Sequence, residues 1–134
     1  MIKFYLLDTN IASSVIKNNV ASVRKKLLST TPSQINISAI TKAELLFGVE
    51  KCPGIKNLVI AVNEFLLRVN VLSWDDSAAE SYAKLRAKLE KAGKFLGNMD
   101  MLIAAQAIAE DAILVTNDKA FLQIKELKVE NWVK

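Results

Sequence analysis

The chain contains no histidine and one cysteine, Cys52. Without an imidazole, histidine acid–base catalysis, a Cys–His nucleophile pair and an ordinary zinc site are all excluded, and a lone thiol cannot close an internal disulfide. Cys52 precedes a Pro53-Gly54 turn and reads as a plain free thiol. Long apolar runs are missing as well. No segment approaches the roughly 18 uninterrupted apolar residues of a membrane helix, and the apolar run within Met1–Asp8 is too short for a signal peptide. A soluble, cytoplasmic protein with no membrane partner is the expectation.

What is present suffices for a single domain spanning 1–134, because 51% of the 134 residues are hydrophobic and can fill one buried core. The net charge is +4. It persists although several acids are set apart for one internal cluster, so the remaining surface is basic and suits a polyanion such as RNA, or an acidic protein segment.

Hydrophobic periodicity predicts a strand at 3 to 7, helices at about 10 to 17 and 20 to 29, and a strand at Ile35-Asn36-Ile37-Ser38. Helices at about 40 to 50 and 55 to 69 follow, then a short strand at Val71-Leu72-Ser73 and a helix at about 76 to 92. The last third reads as a helix at 100 to 110, a strand at 112 to 116, a short helix at 119 to 124 and a strand near Leu127-Lys128-Val129. Such alternation implies an α/β/α sandwich around a mostly parallel sheet. The helix at 100 to 110 is apolar nearly all round, as expected of one packed closely on the sheet.

Four separated carboxylates stand at strand ends or helix starts: Asp8, Glu44, Asp100 and Asp118. Each has a structural explanation. Asp8 and Asp118 can cap the helices that follow them, Thr41-Lys42-Ala43-Glu44 has the form of a capping box, and Asp100 suits a helix dipole. The joint pattern argues for more. Independent caps have no reason to recur at the carboxyl ends of strands, where open α/β sheets bind ligands, and an acid opening the apolar run Met101-Leu102-Ile103-Ala104-Ala105 needs a partner for its charge. Asp75, Asp76 and Glu80 fit an ordinary helix start, with Ser77-Ala78-Ala79-Glu80 as its capping box. Oxygen ligands alone suit Mg²⁺ or Mn²⁺. Phosphate contacts are expected from Lys42 and Lys94, close to the acidic segments, and from Arg86, at the edge of a buried stripe where it can lean inward. Phe47, Phe65, Trp74, Tyr82 and Trp132 fall mainly at core spacing and make no base-stacking platform; Leu45, Leu46 and Phe47 read as core before groove or dimer contact.

The segments Leu7-Asp8-Thr9-Asn10, Ile37-Ser38-Ala39-Ile40-Thr41-Lys42-Ala43-Glu44-Leu45, Gly97-Asn98-Met99-Asp100-Met101-Leu102-Ile103-Ala104-Ala105, Leu114-Val115-Thr116-Asn117-Asp118 and Val129-Glu130-Asn131-Trp132 together resemble PIN-domain ribonucleases of the VapC toxin type, over essentially the whole chain. That resemblance implies a PIN-like fold and a Mg²⁺- or Mn²⁺-dependent endoribonuclease. It implies cleavage of structured RNA such as tRNA or rRNA, growth arrest, and silencing by a VapB-type antitoxin laid over the early helices. It also implies a homodimer, higher hetero-oligomers with the antitoxin, and no sequence-specific DNA binding by this chain itself. By position, Asp8 and Asp100 become direct metal ligands, with Asp118 completing the site directly or through water. Glu44 orients or deprotonates water or serves a second metal, Thr116 holds a carboxylate, and Asn10 supports Asp8. Gln106 departs from the family, whose members often carry histidine there, which puts a substrate contact in question.

Two competing readings come from the same residues. Asp8 after the first strand is also where receiver domains and haloacid-dehalogenase phosphatases place an aspartate, but Asn10 stands where the phosphatases need a second one, and a receiver keeps its acceptor in mid-chain. The other is a PIN-like module that binds RNA or protein without cutting.

Overall fold

The computed structural model describes residues 3–134; Met1 and Ile2, which open the expected domain and its first apolar run, lie outside the described residues. Five strands, β1 (Tyr5–Leu7), β2 (Ile35–Ser38), β3 (Asn70–Leu72), β4 (Ile113–Val115) and β5 (Lys128–Glu130), form one sheet. All neighbours are parallel, in the order β3-β2-β1-β4-β5. Six helices connect them: α1 (Thr9–Lys17), α2 (Ala21–Leu28), α3 (Ala39–Lys51), α4 (Lys56–Arg68), α5 (Asp76–Lys91) and α6 (Asn98–Ala109). The expected mostly parallel sheet is therefore wholly parallel.

The layers follow from the two-residue period of a strand, which sends successive side chains to opposite faces. Leu6 of β1 and Leu114 of β4 join Leu85 and Leu89 of α5 and Ile103, Ala104 and Ala107 of α6. Tyr5 and Leu7, with Ile35, Ile37 and Val115, pack on the other face against Ile11 and Ala12 of α1, Val23 of α2, and Val62 and Phe65 of α4. Both faces of the central strands are covered, so β1 and β2 are buried at every position. The alanines of α6 let its backbone lie close to the sheet, and residues 103 to 107 are all buried. Leu45 is buried in that core, but Leu46 and Phe47 beside it are exposed, against the core reading of their spacing.

Local hydrogen bonding moves several boundaries. Ser38 caps α3 by accepting from the Ile40 amide at 3.0 Å, so the helix begins at Ala39 and Thr41-Lys42-Ala43-Glu44 lies inside it and is no capping box. Asp75, not Ser77, caps α5, accepting from the Ala78 amide at 3.1 Å. α6 begins at Asn98, which makes Asp100 the third helical residue where the sequence suggested the first. The strand expected at 112 to 116 pairs only over Ile113–Val115, and a 3-10 turn at Pro32–Gln34 precedes β2.

Asn36 is the polar exception inside the sheet. It is buried, and its Nδ2 donates to the carbonyls of Tyr5 at 3.0 Å and Gln34 at 3.1 Å, locking the entry of β2 to β1. Replacing it by alanine removes these bonds and leaves a void. Asn36→Ala is expected to cost about 1 to 3 kcal/mol, seen as a lower urea midpoint at unchanged slope. A change below about 0.5 kcal/mol would mean that the lock contributes nothing net.

Candidate active site

The strand order supplies the site. From β1 the chain steps outward to β2 and β3, then crosses back to place β4 on the other side of β1. Beyond the carboxyl ends of β1 and β4 the connections diverge and leave a crevice. Asp8 follows β1 directly, and its amide still donates to the Val115 carbonyl at 3.0 Å, so it sits at the head of the β1–β4 ladder.

The Asp8 side chain serves both roles that its position suggested. One oxygen caps α1, accepting from the Ile11 amide at 2.8 Å, and the other accepts the Thr116 hydroxyl at 2.5 Å. Burial pushes the Asp8 pKa up; the Thr116 and Ile11 bonds pull it down, and the charges of Asp100 and Asp118 add to the rise. Thr116 in turn accepts from the Asp118 amide at 3.0 Å, so one buried hydroxyl joins the two aspartates' segments. The Asp118 carboxylate caps its own short 3-10 helix, accepting from the Ala120 amide at 2.9 Å.

Asp100 reaches the same crevice from α6, half buried. Burial raises its pKa, and the charges of Asp118 and Glu44 raise it further. Glu44 projects from α3, where its carboxylate accepts the Thr9 hydroxyl at 2.5 Å. Thr9 also lies 3.1 Å from the Thr41 hydroxyl. Because Thr9 has one hydroxyl proton and gives it to Glu44, Thr41 must be the donor to Thr9, and the relay runs Thr41 to Thr9 to Glu44. A cavity of about 210 Å³ opens beside this relay, lined by Thr9, Asn10, Ser13, Glu44, Leu45 and Leu58 among others.

The four acids are thus gathered from four separate elements, close enough for their charges to act on one another. Their chemistry fits a hard cation: the donors are oxygen only, and several like charges in a half-buried crevice are mutually repulsive until a cation offsets them. Among the described residues no three acids stand close enough, as placed, to enclose an ion.

Other expected residues fall elsewhere. Asn10 is exposed and lines the cavity beside Glu44; the support of Asp8 comes from Thr116 and the Ile11 amide. Arg86 does not lean inward: it is exposed on α5, donating to Glu90 at 2.8 Å and to the Tyr82 hydroxyl at 2.8 Å. Those two bonds and the Glu90 charge hold it above the usual guanidinium range. Lys42 is exposed two positions before Glu44, and Lys94 reaches the Gln123 carbonyl at 3.4 Å. Gln106 is buried and donates to the Ser73 carbonyl at 2.8 Å, tying α6 to the exit of β3 as a structural cross-link. The role of Thr9 was signalled in the sequence only by a hydroxyl directly after Asp8.

Residues 5–127 match the family described as PIN domain. A Ribonuclease VapC2 from Rickettsia felis is 39% identical over 132 residues, covering 97% of this chain and 98% of the relative. A protein from Shigella flexneri named tRNA(fMet)-specific endonuclease VapC is 35% identical over 133 residues, covering 98% and 99%. Among solved structures, VapBC2 from Rickettsia felis bound to a DNA fragment from its promoter superposes with a TM-score of 0.88 at 37% identity, covering 96% of this chain and 98% of that one.

The raised pKa of Asp100 makes the stability of the fold depend on pH. A carboxyl whose folded pKa lies above its unfolded value destabilises the fold while ionised, fully so above the folded pKa, and ceases to do so below the ordinary value of 3.8. Asp100→Asn keeps the shape and removes the charge. The variant, free of divalent ions, is expected to melt at a higher temperature than the parent at pH 7, with the gap closing as pH falls towards about 4. An equal or lower midpoint at pH 7 would contradict the repulsive cluster. Thr116→Val should act oppositely, costing about 1 to 2 kcal/mol in urea unfolding at pH 7 by stripping Asp8 and the Asp118 amide of a buried partner.

Proposed function

Since the chain belongs to the PIN-domain family and to its VapC ribonucleases, we propose that it is a divalent-metal-dependent endoribonuclease toxin that cuts structured RNA and is silenced by a VapB-type antitoxin. The observation that carries this reading is the buried Asp8, held by Thr116 and made harder to ionise by burial and by the charges of Asp100 and Asp118. A carboxylate so placed is costly to keep unless a cation offsets it.

Asp8 and Asp100 would hold Mg²⁺ or Mn²⁺ directly, with Asp118 completing the set directly or through water. A cation bound there supplies charge for the phosphoryl oxygens and lowers the pKa of water. The chain's own residues do the rest. Thr116 fixes the Asp8 carboxylate against rotation, and the Thr41–Thr9 relay holds the Glu44 carboxylate in one orientation. Glu44 orients the attacking water and takes its proton as the new P–O bond forms. The bond from phosphorus to the 3′ oxygen breaks in line, and that oxygen is protonated from solvent. Lys42, exposed two positions before Glu44, and Lys94 are the other phosphate contacts of this reading. Arg86 would have to leave Glu90 to make such a contact.

Partner binding is assigned to a separate surface. An apolar groove of about 420 Å³ between α1, α2 and α4, lined by Val15, Ile16, Leu27, Leu28, Phe65 and Val69 among others, contains none of the four acids. It suits an antitoxin segment laid over the early helices. Exposed Leu46 and Phe47 on α3 offer a contact for a second copy, as a homodimer requires. The relatives' tRNA(fMet) name makes a folded tRNA the first substrate to test. The neighbour's promoter DNA is read as a property of that complex, not of this chain alone.

Purified protein freed of antitoxin is expected to cut small RNA into discrete fragments with Mg²⁺ or Mn²⁺ and to stop with EDTA. Asp8→Asn and Asp100→Asn should abolish cleavage, and Glu44→Gln should lower kcat by about 10² to 10⁴. Intact RNA with folded, metal-supplemented parent protein would defeat the nuclease reading and leave a binding module.

A further inference from the structure

The cavity beside Glu44 is a trough between two helices. One wall is a stripe of α1 running from Thr9 and Asn10 through Ser13 to Lys17, and the other is Glu44 and Gly48 of α3. Leu45, Leu58 and Val62 supply apolar surface between them. Thr9 and Glu44, joined by their hydrogen bond, stand at one end. Lys17 stands at the other, about 12 Å further along α1 by helical rise. It is exposed and takes part in no ion pair among the described residues.

Gly48 is the residue of this trough that the fold itself does not explain. It lies inside α3 in ordinary helical backbone, since among the described glycines a positive φ is confined to Gly93. A methyl group there would meet nothing within 4 Å, so no neighbouring element presses against it. Glycine weakens a helix interior relative to alanine, and here neither its freedom nor its smallness serves the packing. What the missing side chain does is leave the wall open. Bare backbone of this kind suits the close approach of a ligand.

The occupant that fits is one base of an RNA. The volume of about 210 Å³ is half that of the groove between α1, α2 and α4, too little for a segment of a protein partner. Apolar surface with a few polar groups is the usual lining of a site for a small flat ligand. Position favours RNA as well, because Glu44 is itself part of the wall: a strand whose phosphate is attacked there carries its neighbouring base past the mouth of the trough. An unpaired base is free to turn in. Asn10 offers an amide donor and acceptor to its edge, and Lys17 offers an ammonium group to a phosphate further along. A cation on the acids would serve the phosphate being cut, so the two positive charges act at different places.

Resting on the ribonuclease reading above, we propose that the trough between α1 and α3 is a substrate pocket for one unpaired base beside the phosphodiester that is cut, with Gly48 keeping it open, Asn10 reading the base edge and Lys17 on the backbone beyond. It favours substrates whose loops leave a base free at that point.

Binding is measured with the Asp100→Asn protein, which that reading expects not to cut, in Mg²⁺, using a fluorescein-labelled RNA stem–loop and a duplex of the same stem. Adding Gly48→Leu is expected to weaken stem–loop binding about 5- to 100-fold and leave duplex binding unchanged, while the protein melts no lower than before. Gly48→Ala should give a smaller loss in the same direction. Asn10→Ala should level the preference among bases at one loop position, and Lys17→Ala should make the salt slope shallower by about one without altering that preference. Removing the base at that position should weaken binding as much as Gly48→Leu does and cancel the effect of Gly48→Leu; its first half needs no pocket variant to fold. Unchanged stem–loop binding by folded Gly48→Leu, an equal loss with the duplex, no loop position sensitive to base removal, or a loss seen only in antitoxin binding or self-association would each overturn the proposal. Cleavage that survives Gly48→Leu undiminished in the otherwise unaltered chain would leave the nuclease reading standing without the pocket. Loop-dependent, Gly48-sensitive binding by a chain that cuts nothing would sustain the pocket and defeat the nuclease.

Discussion

The buried carboxylate of Asp8 is the constraint around which the rest of the molecule is arranged. It stands at the head of the β1–β4 ladder, where its amide completes the sheet and its side chain starts α1. A charge in that position tolerates little change around it, since desolvation already raises its pKa. Thr116 has to follow β4 with its hydroxyl inward, and that hydroxyl then receives the Asp118 amide. One side chain thus fixes the end of one strand to the turn after another, and with them the mouth of the crevice.

Capping and catalysis are not alternatives in this protein. Asp8 gives one oxygen to the Ile11 amide and the other to Thr116, while Asp118 caps the turn that follows it. A cap needs a carboxylate at the start of a helix, and in a parallel sheet helices start where strands end, which is also where ligands bind. The same geometry therefore puts helix-starting acids around the site. Glu44 departs from this rule. It lies inside α3, steadied by the threonine relay rather than by a helix end, whereas Asp100 stands in the first turn of α6.

Much of this was legible from residue order. The alternation of strands and helices, and the four acids beside apolar runs, came from periodicity and from the absence of histidine, which left oxygen ligands as the chain's metal chemistry. The boundaries were less legible, because they depend on single hydrogen bonds. Ser38 captured the start of α3 from Thr41, and Asp75 displaced Ser77 at α5. Arg86 was misplaced for a related reason: helical spacing puts it near the buried stripe, but the i to i+4 partners Tyr82 and Glu90 draw it outward. Spacing along one helix says which residues share a face, not which partner wins a side chain.

The sequence by itself determined the chemistry available: a metal site of oxygen ligands if there is one, no imidazole, and a chain that alternates between sheet-forming and helix-forming runs. These are properties of composition and local period, and they do not need the fold. Only the tertiary structure decided which groups meet. The crossover that sets β4 beside β1 brings Thr116 to Asp8 across 108 positions, and the packing of α3 on α1 brings Thr9 to Glu44 across 35. It also turned Gln106 into a cross-link to the Ser73 carbonyl and left Phe95 outside while Leu96 entered the core. Such outcomes depend on contacts between residues far apart in the chain, and local pattern carries no record of them.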